Sequence, residues 1–311
     1  MAVKASLVGY TGFVGSNLAA CCPFDGLYHT KNIREAYGTR PELLVYAGIR
    51  AEKFLADRNP ERDFRAMEEA VGIVEKIDPG RLILISTVDV YGNPQGVDER
   101  EKPARAGLKP YGANRLWLEE AVRERWPDAL ILRLPALFGK NLKKNFIFDI
   151  LHPVPSLLSG GKFRELSGDI PDLGNYYRQE ENGFFRCIYQ DKSREREALW
   201  QRFQKAGFCA LQFTDSRSRF QFYSLKYLWG DILKALEMGV SLLNLATEPI
   251  EAGELYTYLT DGCFTNYLPG MPVNYDFRSA YADAWGGKNG YLYPADRMRE
   301  EIRSFVKEER G

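Results

Sequence analysis

The run Gly9-Tyr10-Thr11-Gly12-Phe13-Val14-Gly15 constrains this chain more than any other segment. It follows directly on the short apolar stretch Ala5 to Val8 and leads into Ser16-Asn17-Leu18-Ala19-Ala20, which reads as the first turns of a helix. One glycine permits the tight turn, another lets the backbone approach a pyrophosphate, and the last allows close helix-to-strand packing, while the helix N-terminus offers free N–H groups to an anion. Gly9, Thr11, Gly12, Phe13, Val14 and Gly15 are therefore expected to cradle a dinucleotide; the bland alternative is a strand-to-helix turn without a ligand. The spacing is GxxGxxG rather than GxGxxG.

The first 135 residues alternate short aliphatic runs with longer amphipathic stretches, the pattern of βαβ units stacking into a parallel sheet. Strands are expected at Ala5 to Val8, Leu27 to Thr30, Leu43 to Tyr46, Leu82 to Ser86 and Leu130 to Leu134. Asn59-Pro60-Glu61 starts a helix to about Lys76, with Phe64, Met67, Val71 and Val74 on one face and Asp78-Pro79-Gly80 as its stop. Pro110 begins another, to about Trp126. The segment from Gly160 to Arg219 departs from this rhythm and reads as an insertion or part of a substrate domain, with a helix from Glu195 to Ala206. A last helix is expected from Pro294 to about Glu308. The domain reading is a dinucleotide-binding core over residues 1–140, to which residues around 220–250 return, followed by a mostly substrate-binding portion over 141–311 that carries the insertion at about 160–219.

Charge narrows the partners. Lys plus Arg and Asp plus Glu number 42 each, so nothing recommends nucleic acid or an anionic membrane. Five cysteines show neither metal-ligand spacing nor an even-numbered framework and read as reduced thiols, which suggests the cytoplasm. No segment reads as a secretion signal or bilayer span, and His29 and His152 are too few for a histidine metal site, so no metal is expected.

An acidic residue usually closes the second strand where NAD is preferred. Here the run is Leu27-Tyr28-His29-Thr30-Lys31-Asn32, without Asp or Glu. Lys31 and Arg34 stand where a 2′-phosphate would meet them, which favours NADP over NAD; solvated surface charge accounts for both equally well.

The fourth strand ends Ile85-Ser86-Thr87-Val88-Asp89-Val90-Tyr91-Gly92, about twenty residues before Tyr111-Gly112-Ala113-Asn114-Arg115, and Leu132-Arg133-Leu134-Pro135-Ala136-Leu137-Phe138-Gly139 follows. Together with the glycine loop, these segments resemble in order the motifs of the extended short-chain dehydrogenase/reductases, the NAD-dependent epimerase/dehydratase group: Ser-Ser/Thr-x-x-Val-Tyr-Gly, Tyr-x-x-x-Lys with Arg115 in the lysine position, and Arg-x-x-x-x-Tyr-Gly. The resemblance covers Gly9 to Gly139 firmly. It implies a Rossmann-type, doubly wound parallel sheet with a smaller, partly inserted C-terminal substrate domain, an NAD(P) cofactor contacted by Tyr111 and Arg115, a nucleotide-sugar substrate, and a homodimer built on the two helices that start near Glu61 and Pro110. It makes Tyr111 the acid/base, Thr87 the hydroxyl that hydrogen-bonds the reacting oxygen, and Asp89 a second acid or base. Thr87 as a turn cap is the plainer reading. Val88 stands where sugar-nucleotide 4,6-dehydratases carry Asp, which argues against dehydration.

The tyrosine chemistry has a definite electrostatic requirement. A phenol titrates near 10, so ionising near pH 7 takes roughly 4 kcal/mol of phenolate stabilisation. A unit charge about 4 Å away supplies roughly that at an effective dielectric of about 20. Positions 111 and 115 lie one helical turn apart on one face, so Arg115 is the expected cation. Its planar fork differs from a lysine ammonium in the donors it presents. Beyond Gly139, Lys143, Lys144 and Asn145, and later Arg217 and Arg219, are candidates for holding a diphosphate and its sugar; solvated loops are the alternative. The function expected is an NAD(P)-dependent epimerase or ketoreductase of a nucleotide-activated sugar in surface polysaccharide or deoxysugar biosynthesis. The alternative is a dinucleotide-binding protein without catalysis, structural or redox-sensing.

Overall fold

The computed structural model of the chain describes residues 4–189 and 193–311. Within it, β1 (Ala5–Val8), β2 (Gly26–Tyr28), β3 (Leu43–Tyr46), β4 (Arg81–Thr87), β5 (Leu130–Leu134) and the strand Leu242–Asn244 form one six-stranded sheet. Reading across it, β2 is followed by β1, β3, β4, β5 and finally Leu242–Asn244, and every pairing is parallel. All residues of β1, β3 and β5 are buried, as a parallel sheet covered on both faces requires. The chain steps from β1 outward to β2 and then back across to β3. The order therefore reverses between β1 and β3, and in open α/β sheets ligands bind in the crevice at the carboxyl ends of such a strand pair.

Helices α1 (Phe13–Cys21), α2 (Lys53–Arg58), α3 (Pro60–Ile77) and α4 (Pro110–Arg125) belong to the same unit. α3 begins where the Asn59 side chain accepts the Arg62 N–H, with Pro60 in its first turn, and it ends at Asp78 in the left-handed region before Pro79. Its buried Met67, Ala70, Val71, Val74 and Ile77 join Leu118, Ala121 and Val122 of α4 against Leu44, Tyr46, Leu82, Leu84 and Ile131 of the sheet. α4 is less one-sided, because it also buries Arg115 and Glu119. Glu119 accepts from Ser86 Oγ on β4 and from Arg133 Nη2 on β5 at 2.6 Å, and Arg133 Nη1 donates to the Tyr91 hydroxyl at 2.7 Å.

The chain divides into two compact units. The first comprises the described residues up to Leu142 with 219–250 and 274–302; the second comprises 143–218, 251–273 and 303–311. Sequence places only residues near 220–250 back in the first unit, whereas 274–302 return as well. The second unit has its own core of Val154, Leu158, Leu166, Ile170, Leu173, Tyr177, Leu199 and Phe203, with a three-stranded antiparallel sheet in which Phe185–Cys187 lies between Leu157–Leu158 and Tyr177–Gln179. The helix expected from Glu195 to Ala206 runs Arg194–Lys205.

Because Glu119 and Arg133 are each 2% exposed, removing one charge strands the other. Glu119→Gln is expected to lower unfolding free energy in urea by about 3–5 kcal/mol, and the paired replacement Glu119→Met with Arg133→Met to recover most of that loss. A single-variant loss under about 1 kcal/mol would refute the assignment.

Candidate active site

The three glycines of the loop do different work. Gly9 has φ +92° and donates its N–H to Tyr28 O at 2.7 Å, and a Cβ there would lie 2.5 Å from the Ala47 carbonyl oxygen, just beyond β3. A Cβ on Gly15 would lie 2.1 Å from Gly9 O. Gly12 is exposed and has an ordinary φ of −79°, and a Cβ there would find only Gly9 O, at 3.2 Å. The fold thus demands glycine at 9 and 15, whereas the bare backbone at 12 faces outward. The first helical bond of α1 runs from Ser16 N–H to Gly12 O at 2.8 Å, so the Phe13, Val14 and Gly15 amides precede the i→i−4 ladder at the helix mouth. An anion suits that arrangement, and the open backbone at Gly12 fits a pyrophosphate.

Thr11 is exposed at the tip of the loop, and the Tyr10 ring meets His29 edge-on at 5.3 Å. That contact ties the loop to the segment after β2, where Lys31 and Arg34 are exposed. Asp25 is held at the start of β1, its carboxylate accepting the Ala5 N–H at 2.8 Å. The turn after Phe138 closes on α1 through Asn17 Nδ2 to Lys140 O at 2.8 Å and Asn141 Nδ2 to Ser16 Oγ at 3.2 Å.

On the same edge of the sheet, β4 ends at Thr87, whose Oγ1 accepts the Asp89 N–H at 3.2 Å and caps the turn Val88–Val90. A Cβ on Gly112 would lie 2.2 Å from Asp89 O, so only glycine lets the first turn of α4 close on this turn. Asp57 Oδ1 accepts the Tyr111 N–H at 3.0 Å. Thr87, Asp89 and Tyr111 are thereby gathered at one place. Tyr111 is 5% exposed, and burial pushes its phenol above the ordinary range; Arg115 and Lys53 pull it down, while Asp89 and Asp63 push it up.

Arg115 is the cation that most lowers the Tyr111 phenol, as the spacing leads one to expect, but it is also paired. It is 3% exposed and grips Asp63 with both forks, Nη1 to Oδ2 at 2.7 Å and Nη2 to Oδ1 at 3.1 Å, and Nη2 also donates to Arg50 O at 2.9 Å. Its guanidinium lies over the Tyr111 ring, 4.4 Å from the centroid. Burial is the main reason the phenol stays high; Asp63 offsets part of the Arg115 charge, yet Arg115 remains the foremost group pulling the phenol down.

Sequence reasoning did not place Asp63, Lys53 or Tyr275 in this cluster. Lys53 Nζ lies 2.7 Å from Asp89 Oδ1 and 3.1 Å from the Tyr275 hydroxyl, which itself donates to Asp89 Oδ1 at 2.8 Å. Burial works against the ammonium, but Asp89 and Tyr275 hold Lys53 above its ordinary range; burial, then Asp89, pushes Tyr275 up to about 12. The signal for Lys53 was its place just beyond β3, at the carboxyl edge where α/β sheets build sites. Tyr275 arrives with the returning segment 274–302 and carries no signal of its own among 18 tyrosines.

The expected substrate-side residues are not gathered with this cluster within the first unit, save Arg219, which is exposed. In the second unit, Lys143 and Lys144 are exposed, and Asn145, at φ +126°, caps the helix Phe146–Leu151 by accepting the Phe148 N–H at 3.1 Å. Arg217 is clasped by Asp215, with Nη2 to Oδ2 at 2.7 Å, and lies over the Tyr267 ring. Among the described residues no three His, Cys, Asp or Glu side chains converge as metal ligands, and no helix is long and apolar enough to cross a membrane.

The class these features define is a Rossmann-type fold, a doubly wound parallel sheet with a glycine loop at its switch point and a tyrosine cluster on the same edge. No family model and no curated protein matches the sequence. Solved structures do match in fold. A Bacillus anthracis dTDP-4-dehydrorhamnose reductase in complex with NADP superposes with a TM-score of 0.63 at 16% identity, over 99% of each chain. The Clostridium acetobutylicum dTDP-4-dehydrorhamnose reductase gives 0.64 at 10% identity, over 99% of this chain and 100% of that one. A Methanobrevibacter ruminantium UDP-N-acetylglucosamine 4-epimerase in complex with UDP-N-acetylmuramic acid gives 0.62 at 15%, over 98% and 97%. The chain shares their fold along its whole length.

The glycine geometry predicts unequal costs of adding one methyl group. Gly15→Ala is expected to lose about 1–3 kcal/mol in chemical denaturation, as overpacking does, and Gly12→Ala less than about 1 kcal/mol. Equal losses would contradict the division of labour within the loop.

Proposed function

We propose that this chain is an NADP(H)-dependent reductase or epimerase of a nucleotide-activated sugar, serving surface polysaccharide or deoxysugar biosynthesis in the cytoplasm. One observation carries the reading: the outward-facing Gly12 with the open amides of α1, and the cluster of Thr87, Asp89 and Tyr111, sit on one edge of one parallel sheet. The nucleotide-sugar reductases and epimerases that share the fold, one of them with NADP, support the substrate class and the cofactor. The absence of an acid after β2, with exposed Lys31 and Arg34 there, supports NADP over NAD.

Bound NADP(H) supplies or accepts the hydride at a sugar carbon. Tyr111 exchanges the proton at the attached oxygen. Thr87 steadies that oxygen: one lone pair of its hydroxyl is taken by the Asp89 N–H, which leaves its O–H to donate. Asp89 is the second acid or base where the reaction is epimerisation. Of the cations expected on the substrate side, Arg219 belongs to the same unit as this cluster and is the candidate for a substrate phosphate. Because Arg115 is closed on Asp63 and the Tyr111 phenol sits high, a second reading is a protein that binds the dinucleotide without turning over a sugar.

Two variants separate these readings in an NADPH-oxidation assay over a panel of keto-sugar nucleotides. Gly12→Val is expected to stay folded and lose NADPH binding. Tyr111→Phe is expected to keep NADPH binding and lose turnover by roughly a hundredfold to ten-thousandfold. NADPH binding with no turnover on any keto-sugar favours the non-catalytic reading, and full binding by Gly12→Val defeats both.

We also propose a homodimer built on α3 and α4. Phe64 and Trp117 meet edge-to-face at 4.7 Å between these helices and stay half-exposed, an apolar surface beyond what packing against the sheet requires. Sedimentation at micromolar concentration is expected to show the dimer; a monomer sinks the idea.

A further inference from the structure

Three residues from distant parts of the chain close a triangle of polar contacts at the carboxyl edge of the sheet, all within the first unit. Lys53 Nζ donates to Asp89 Oδ1 at 2.7 Å and to the Tyr275 hydroxyl at 3.1 Å, and that hydroxyl donates to the same Asp89 oxygen at 2.8 Å. A count of donors and acceptors shows what the triangle leaves over. The ammonium has three protons and spends two, the phenol is used in both directions, and Asp89 Oδ1 takes two donors, while among the described residues Asp89 Oδ2 accepts from none. One free N–H and one free carboxylate oxygen therefore stand together, on side chains that are 44% and 21% exposed. The surroundings belong to the site. Thr87 Oγ1 accepts the Asp89 N–H, the Asp89 carbonyl lies against Gly112 beside Tyr111, and the Tyr275 N–H donates to Arg219 O at 3.0 Å. Tyr275 is fixed by its own neighbours, since the Asp276 N–H donates to Pro94 O at 3.0 Å and Asn274 O accepts from the Gln95 side chain. The triangle is thus tied to the turn after Thr87 on one side and, on the other, to the backbone of Arg219, the candidate for a substrate phosphate.

We propose that Lys53 and Asp89, locked together by Tyr275, form the subsite that reads the hydroxyls of the sugar ring, with Tyr275 as its positioning residue. The proposal rests on the nucleotide-sugar reading above and names which residues meet the sugar. A donor and an acceptor set together match neighbouring hydroxyls, because each hydroxyl both gives and accepts a hydrogen bond. Charge selects the same class of group. The ammonium and the carboxylate cancel, so the pair offers no net attraction to a phosphate or a carboxylate, yet each still makes the stronger hydrogen bond of a charged partner. Tyr275 spends its hydroxyl inside the triangle, which holds the other two side chains in register. Stability does not account for the arrangement, since an ion pair this open contributes little to folding.

Calorimetric binding separates sugar from phosphate. UDP-glucose, dTDP-glucose and GDP-mannose are titrated into the full chain, each beside its free nucleoside diphosphate. Lys53→Met is expected to weaken the sugar nucleotide that binds by about tenfold or more and to leave its free diphosphate within about twofold, because only the sugar meets the ammonium. Tyr275→Phe keeps the ring and its packing, and it is expected to weaken the same sugar nucleotide by a few-fold and again to spare the diphosphate. Both variants are expected to keep the parent's NADPH affinity, which reports an intact first unit. Equal losses of sugar nucleotide and diphosphate in Lys53→Met assign the ammonium to phosphate and overturn the proposal. An unchanged sugar nucleotide in both variants reduces the triangle to a surface ion pair, which overturns the proposal and leaves the proposed function standing. A parent that binds NADPH but none of the three sugar nucleotides defeats the proposed substrate class and this subsite together.

Discussion

The buried pair of Glu119 and Arg133 organises the working edge of the sheet. Two charges at 2% exposure each cost several kcal/mol to desolvate, and they are tolerated because hydrogen bonds meet them on every side. Ser86 Oγ and the Arg133 fork satisfy Glu119, and the Tyr91 hydroxyl takes Arg133 Nη1. Ser86 immediately precedes Thr87, and Tyr91 follows Asp89 by two residues. The turn that carries both site residues is therefore bracketed by two members of one buried network. The bracket extends to the outermost strand, since Asn244 Nδ2 donates to the Tyr91 hydroxyl at 3.1 Å and Glu99 accepts the Asn244 N–H at 2.7 Å. α4 belongs to it through Glu119, which fixes how Tyr111, two turns earlier, meets that turn.

Backbone proximity does the rest. Gly15 rests on the Gly9 carbonyl, Gly9 on the Ala47 carbonyl and Gly112 on the Asp89 carbonyl, each closer than any side chain allows. The first two bring β1, α1 and the end of β3 together at the switch point, and the third brings α4 to the end of β4. The GxxGxxG spacing follows from this geometry, with the outer glycines belonging to the fold and the middle one left for a ligand.

Much of this was legible in the sequence because the physics is local. Uninterrupted aliphatic runs gave β1, β3 and β5, Asn59-Pro60 and Asp78-Pro79 bounded α3 to within a residue, and Pro110 opened α4. The order of Thr87 and Tyr111 along the chain was readable, and the close approach of Gly112 to the Asp89 carbonyl was not. What was not readable depends on long-range pairing. Asp63 lies more than fifty residues from Arg115, and nothing in a helical spacing of four says that a guanidinium will be claimed from another helix. Tyr275 reaches Asp89 across 186 residues. The return of 274–302 to the first unit was hidden because 274–294 are short turns with no periodicity, and the periodicity of the helix Ala295–Arg310 that follows does not say which unit it packs on.

The consequence for the site is electrostatic. A guanidinium closed bidentately on a carboxylate has part of its field offset by that carboxylate, and it lies 4.4 Å over the ring of Tyr111. It is already dry, so a ligand that excludes water adds nothing to its effect. The Lys53–Asp89 pair stands partly in water, which weakens it at rest. Displacing that water lowers the local dielectric and strengthens the field of the ammonium when a ligand is present. Tyr111 is kept protonated in the empty protein by burial, against the pull of Arg115 and then of Lys53, and the half-exposed pair is where water displaced by a ligand changes that balance most.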